Sequence, residues 1–89
     1  MGLILKSYLM YDHIPASLYR EMIVETDGKK YRLRISEGEV NESHPYQHLE
    51  KNRHSRLYSG ENEAKEAAES LFRKFESVGW LLRGTKGNL

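Results

Sequence analysis

Cysteine is absent from the 89 residues of this chain. Its absence excludes disulfide bonds, thiolate metal sites and cysteine nucleophiles together. It also fits a reducing compartment, and we expect a cytoplasmic protein. Long hydrophobic runs are missing too, since Lys6 interrupts the most apolar stretch, MGLILKSYLMYD at the start. A run this short matches neither a signal-peptide core nor a membrane span, so we expect no membrane association.

The chain also lacks a strong excess of charge of either sign. Lys and Arg number 14 against 13 Asp and Glu, which gives a formal net charge of +1. Domains that bind nucleic acid usually have a larger basic excess. Any attraction to a polyanion must therefore come from local clustering of Lys and Arg.

Recognisable catalytic motifs are missing as well. The sequence has no phosphate-cradling glycine loop, no nucleophile motif and no dinucleotide fingerprint. A chain of this length buries one modest core, which leaves little room for a deep pocket. We therefore expect a single domain that is not an enzyme and that uses no cofactor.

What the sequence does contain is a clear β-hairpin signal in residues 17–36. Asp27-Gly28 lies between two runs of β-forming residues, and Asp-Gly favours a two-residue type I′ turn. That turn would place Thr26 opposite Lys29. One face of the hairpin would then be mostly apolar, with Arg20, Met22, Val24, Tyr31, Leu33 and Ile35.

The other face of this hairpin carries charges of both signs. In the predicted register Glu25 lies opposite Lys30, and Glu21 lies opposite Arg34. Opposite charges in such positions stabilise a sheet by roughly 0.2–1 kcal/mol per pair. A face with this internal balance is typical of a solvated surface.

A helix is predicted over residues 59–80. Its apolar positions recur at helical spacing and form one stripe: Ala64, Ala67, Ala68, Leu71, Phe72, Phe75 and Val78. Ser59 is the expected N-cap, and Glu61 and Glu63 suit the positive end of the helix dipole. Gly79 is placed to end the helix, with Trp80 folding back onto its last turn.

The remaining segments complete an α+β domain over residues 1–83. Residues 3–11 form a β-prone run beside the hairpin, and residues 56–59 predict a short strand leading into the helix. Residues 80–83 return to the sheet or pack over the core, and residues 84–89 read as a flexible tail. We expect an antiparallel sheet of three to four strands, in the order β-β-β-β-α, with one long helix across one face.

A long connection, about residues 37–53, separates the hairpin from the last predicted strand. Loops of this length without their own structure are usually functional or disordered. The stretch SHPYQHLEKNRHSR, residues 43–56, holds His44, His48 and His54, which could serve as metal ligands. Because Pro45 disfavours helical geometry at His44 and no fixed motif pins the ligands, we expect no metal.

On these grounds we expect non-catalytic binding of a macromolecule, with nucleic acid slightly favoured over protein. The predicted surface joins the 43–58 segment to the basic face of the hairpin. Its residues are Arg32, Arg34, Tyr46, Lys51, Arg53, His54, Arg56 and Tyr58. Lys and Arg would neutralise phosphates, and the tyrosines would stack on bases.

The alternative is a protein-binding module, such as an inhibitor or adaptor of the small phage or plasmid type. Six tyrosines are more than one helix can bury, so some would be exposed as anchors for a partner. An edge of the small sheet offers a second route, by pairing with a partner strand or with a second copy in a homodimer.

Overall fold

The computed structural model describes residues 2–41 and 47–87. One antiparallel sheet includes every described strand, in the order β4-β3-β2-β1-β5. The elements are β1 (Leu3–Tyr11), β2 (Leu18–Thr26), β3 (Tyr31–Asn41), β4 (Gln47–Tyr58), α1 (Glu61–Ser77) and β5 (Leu81–Gly87). The α+β class is therefore confirmed, but the expected three to four strands become five, and the helix of 17 residues is short rather than long.

Two segments differ from the expected strands: β4 is longer than predicted, and β5 adds the fifth strand. β3 continues to Asn41 and β4 begins at Gln47, so most of the segment expected to be a loop is paired strand. Residues 84–87, expected in a flexible tail, continue β5 along β1. Both are edge strands whose side chains are mostly exposed, so neither shows the alternation of apolar and polar residues that marks a strand in sequence.

The hairpin is present, but its turn is longer than predicted. Asp27 Oδ1 accepts hydrogen bonds from the backbone N–H groups of Lys29, at 2.9 Å, and Lys30, at 3.0 Å. The Thr26 hydroxyl donates to the Lys30 carbonyl at 2.8 Å. These side-chain bonds support a four-residue turn, and Thr26 lies opposite Tyr31 instead of Lys29.

The register therefore differs by two residues, which leaves every side chain on its predicted face but changes its partner. The apolar face is as expected. On the other face, Arg34 lies opposite Ile23 rather than Glu21, and Glu25 lies opposite Arg32. Both predicted charge pairs are wrong, and Arg34 has an apolar neighbour where a carboxylate was expected.

α1 packs across β1 to β4 and covers one face of the sheet. Its two fully buried residues, Ala64 and Ala68, allow the helix backbone to approach the strands closely. Phe72 stacks on Tyr8 with ring centroids 4.6 Å apart. The buried core between the layers consists of Tyr8, Met10, Met22, Val24, Leu33, Ala64 and Ala68.

The C-terminal end of α1 is as predicted, whereas its N-cap residue differs from the prediction. Gly79 has a φ of 105°, as a helix-terminating glycine does, and the Trp80 N–H donates to the Phe75 carbonyl at 3.0 Å. The N-cap is Gly60 rather than Ser59, and it makes no side-chain capping bond.

Gly38 is the one position where β3 and β4 come too close for a side chain. The pairing of the two strands is irregular here, because Lys51 is an extra residue between the partners of Glu37 and Gly38. A Cβ on Gly38 would overlap the Leu49 carbonyl oxygen and lie 2.9 Å from the Lys51 nitrogen. Both obstacles are backbone, so neither can rotate away.

Gly38→Ala should therefore destabilise the protein by at least about 2 kcal/mol, because the bulged pairing must open to admit a methyl group. Gly84→Ala is the matched control, since a Cβ there meets nothing within 4 Å and Gly84 also lies in a strand. Urea unfolding of both variants measures the difference. Equal stabilities would show that the close approach at Gly38 is absent in solution.

Asp12 organises the connection between β1 and β2. Its Oδ1 accepts hydrogen bonds from the backbone N–H groups of His13, Ser17 and Leu18, each at 3.0 Å. Burial acts to raise the pKa of Asp12, but these three donors outweigh it and the pKa lies below its ordinary value of 3.8.

Asp12 therefore makes stability depend on pH in a defined direction. Because its pKa is lowered by folding, its contribution is complete above pH 3.8 and is lost as the pH falls below that value. Asp12→Asn keeps an acceptor oxygen but cannot titrate. Thermal unfolding between pH 2 and pH 6 should show a smaller loss of stability on acidification in this variant; parallel curves would contradict the assignment.

Candidate functional site

The sheet has one face that α1 does not cover, which we call the open face. Since Met22, Val24 and Leu33 point toward α1, their sequence neighbours on β2 and β3 point away from it. From β2 to β4, the open face consists of the odd-numbered residues 19–25, the even-numbered residues 32–40, and His48, Glu50, Arg53, Ser55 and Leu57.

The alternation of side chains along β4 divides the predicted binding surface between two faces. Three predicted residues share the open face: Arg32, Arg34 and Arg53. Four lie on the α1 side of the sheet: Lys51, His54, Arg56 and Tyr58. Tyr46 lies outside the described residues. The predicted cluster assumed a loop, in which neighbouring residues can converge, whereas a strand sends them to opposite faces.

Several residues on the α1 side already have partners. Tyr58 packs against the core, and the Arg56 guanidinium lies 5.6 Å from the centre of the Tyr58 ring. Lys51 forms an ion pair with Glu39 at 4.0 Å. These contacts are structural and do not converge on one position where a ligand could bind.

On the open face, Arg32 and Arg34 are the cations available to a ligand. Neither forms an ion pair within residues 2–41 and 47–87. Arg34 is half-buried between Ile23 on β2 and Ser55 on β4. Its Nε is buried and has no hydrogen-bond partner among the described residues. An unpaired donor of this kind costs free energy, and movement of the guanidinium toward an added acceptor would recover it.

Arg53, by contrast, is bound to a carboxylate. Its Nε donates to Glu50 Oε1 at 2.9 Å. This bond, with a second one from Ser36, holds the pKa of Glu50 below its ordinary value, so Glu50 is ionised at neutral pH. The charge of Arg34 also helps to lower the pKa of Glu50. Among the described residues, the open face therefore combines Arg32 and Arg34, which form no ion pair within 4.0 Å, with the Arg53–Glu50 pair.

A cluster of rings occupies the other end of the open face. Tyr19 lies opposite Gly38, where no side chain blocks it, and its ring stacks on His48 with centroids 4.7 Å apart and planes 26° from parallel. Tyr11 lies edge-on to the same imidazole, and its hydroxyl is hydrogen-bonded to His48 Nε2 at 2.9 Å. We call Tyr11, Tyr19 and His48 the ring cluster.

The two tyrosines of the ring cluster are buried although no helix covers them. Tyr11 is 7% exposed and Tyr19 is 5% exposed, whereas His48 is exposed. Burial raises the pKa of Tyr19 above its ordinary value, so its hydroxyl stays neutral. His48 was considered in the sequence only as a metal ligand; the signal that could have revealed the cluster is Gly38, a strand glycine beside which a ring can lie.

The tyrosines offer fewer anchors for a protein partner than the sequence indicated. Tyr8 is buried, like the two tyrosines of the ring cluster. Tyr31 and Tyr58 are half-buried against the core. Within the described part of the chain, the expectation of several exposed tyrosines is therefore wrong, because neighbouring strands and α1 cover them.

The histidines do not converge on a metal position in the described part of the chain. His48 and His54 point to opposite faces of β4. No group of three His, Asp or Glu side chains in residues 2–41 and 47–87 is placed to hold a metal ion. His44 lies outside those residues.

Charge is unevenly distributed between the two layers. Residues 27–58 contain seven Lys or Arg against five Asp or Glu, and three histidines besides. Residues 61–77, which form α1, contain three Lys or Arg against five Glu. A shallow cleft of about 500 Å³ at the hairpin end is lined by the cations Arg32, Lys29 and Lys30 and by the carboxylates Glu25 and Asp27. Further negative charge on the open face comes from Glu21 on β2 and from Glu50 on β4, which is paired with Arg53.

No family model, curated protein or solved structure matches this chain significantly. Among the described residues, α1 is too short and too polar to cross a membrane.

Proposed function

We propose that this protein is a non-catalytic binding module that docks on nucleic acid through the open face of its sheet. The observation that supports the proposal is the position of Arg32 and Arg34: adjacent cations on an uncovered face, without ion pairs among the described residues. Guanidinium groups bind phosphate with paired N–H donors, and two adjacent guanidinium groups can bind neighbouring phosphates.

The surroundings of the two arginines favour a phosphate over a carboxylate or a free metabolite. Leu57, which is 53% exposed, lies opposite Arg32 and supplies apolar contact for a sugar or base. Lys29 and Lys30 continue the positive charge along the cleft, as an extended polyanion requires. The five glutamates of α1 repel the same ligand, so the electrostatic field orients the polyanion toward the sheet.

A protein partner is the second candidate, and β4 is the observation that favours it. This edge strand of 12 residues leaves one side of its backbone free of a described partner strand. A partner strand could pair with it. The bulge at Lys51 and the charges of Arg53 and Arg56 are devices that natural edge strands use against such pairing, so we place this function second.

The decisive test replaces the two arginines and compares the variant with an equal change of charge on the opposite face. Fluorescence anisotropy with short DNA and RNA oligonucleotides, at several salt concentrations, measures affinity. Arg32→Gln with Arg34→Gln should weaken binding at least about 10-fold. It should also reduce the slope of log affinity against log salt by about 1.4 to 1.8, because two phosphate contacts are lost.

The matched control is Lys51→Gln with Arg56→Gln, which removes the same charge from the α1 side of the sheet. Its affinity and slope should stay close to those of the unmodified protein. Equal losses in both double variants would mean that overall charge, not the open face, controls binding. Absence of binding to every oligonucleotide at low salt would refute the proposed function.

Removing a negative charge next to Arg32 gives an independent check of the proposed binding face. Glu25 lies across from Arg32 and competes with phosphate for its charge. Glu25→Gln should therefore strengthen binding several-fold, with an effect that fades as salt is added. Weaker binding in this variant would show that Glu25 supports the site rather than opposing it.

A further inference from the structure

We propose that the ligand of the open face is single-stranded and that His48 is the surface on which one of its bases stacks. This inference rests on the proposed function and adds the class of nucleic acid and a second contact region. The ring cluster, not the arginines, is the observation that carries it.

Two tyrosines fix the position of the His48 ring. Tyr19 covers one face of the imidazole, and Tyr11 fixes its orientation through the 2.9 Å hydrogen bond to Nε2. The two tyrosines are buried, while His48 itself is exposed. Among the described residues, the contacts of His48 with rings are those with Tyr19 and Tyr11, so we infer that the ring face opposite Tyr19 receives the ligand. A flat ring already fixed in place loses little conformational entropy when a base stacks on it.

The shape of the open face favours a single strand over a duplex. The major groove of a duplex is wide enough for an α-helix or a two-stranded β-ribbon. Here α1 lies on the other side of the sheet and is acidic, and the β2–β3 hairpin is in the interior of the sheet. Bases of a single strand are free to turn toward a sheet and stack on rings, which paired bases cannot do.

The separation of the two contact regions sets a minimum ligand length. Val40, the partner of His48, is eight residues along β3 from Arg32, which corresponds to roughly 26 Å of strand. The neutral Arg53–Glu50 pair lies between the two regions. A ligand that reaches both must span several nucleotides, within the range of about 4–16 that sheet-based single-strand sites occupy. A mononucleotide can occupy only one of them.

The experiment separates the ring of His48 from its hydrogen bond. His48→Phe keeps an aromatic plane over Tyr19 but removes the bond to Tyr11, whereas His48→Gln keeps hydrogen-bonding capacity but removes the plane. His54→Gln is the matched control, because His54 is on the same strand and points to the α1 side. Thermal unfolding of each variant establishes that it is folded, and anisotropy with a 12-nucleotide single strand and its duplex measures binding.

We expect the single strand to bind at least about 10-fold more tightly than the duplex, since only the single strand gains the stacking contact. His48→Gln should weaken single-strand binding by about 5- to 100-fold, the usual range for loss of one stacked base. His48→Phe should bind within about 2-fold of the unmodified protein because stacking is retained. His54→Gln should be unchanged.

Three results would overturn the inference. Equal affinity for single strand and duplex would contradict the ligand class, and an unaffected His48→Gln would contradict the stacking role. A loss in His48→Phe as large as that in His48→Gln would show that an aromatic ring at this position is not sufficient for binding, which contradicts stacking as the role of His48. If binding still depends on Arg32 and Arg34 in these cases, the proposed function stands and only this inference fails; if no oligonucleotide binds, both fail.

Discussion

In the described part of the chain, one helix packs against a sheet of five strands, and most features of this protein depend on the difference in width between the two. Five strands are roughly 24 Å wide, while a helix with its side chains is about 10–12 Å across. α1 can therefore form a core on one face only. The other face must bury its apolar groups against each other. On the open face, the ring cluster provides this burial. Tyr19, which lies opposite Gly38, stacks on His48, and Tyr11 contacts the same imidazole.

The same constraint explains why we place function on the open face. A face that is not covered by a second layer can carry groups that a core excludes, such as the half-buried Arg34 with its unpaired Nε. It also displays its side chains at the fixed spacing of a sheet. In the proposed function, this spacing separates a phosphate-binding end at Arg32 and Arg34 from a stacking end at His48.

The sequence predicted elements that have a strong local pattern and missed those that depend on partners. The helix stripe and the apolar face of the hairpin were recognisable because burial against one surface imposes a period. Most of β4 and the last residues of β5 were missed because edge strands exposed on both faces need no such period. The hairpin register was wrong by two residues because Asp27 and Thr26 side chains bond to the backbone and lengthen the turn.

The predicted binding surface is divided between two faces for the same reason. Arg32, Arg34 and Arg53 share the open face, and their role in binding stays a prediction. Lys51, His54, Arg56 and Tyr58 were added because a loop was assumed, and the strand places them on the α1 side. The ring cluster joins Tyr11 and Tyr19, on the consecutive strands β1 and β2, to His48 on β4, which is 37 residues from Tyr11. No local sequence pattern relates these residues, so only the pairing of the strands reveals the ring cluster.

The central claim is that the open face, and not α1 or the opposite side of the sheet, contacts nucleic acid. An amide-resolved NMR titration of the labelled protein with a short single-stranded oligonucleotide, at low and at moderate salt, tests it most directly. The account predicts salt-sensitive shifts concentrated at Arg32, Arg34 and His48 and at their neighbours on β3 and β4, with α1 unchanged. Shifts centred on α1 or on the far end of β5, or a spectrum unchanged at every concentration, would contradict it.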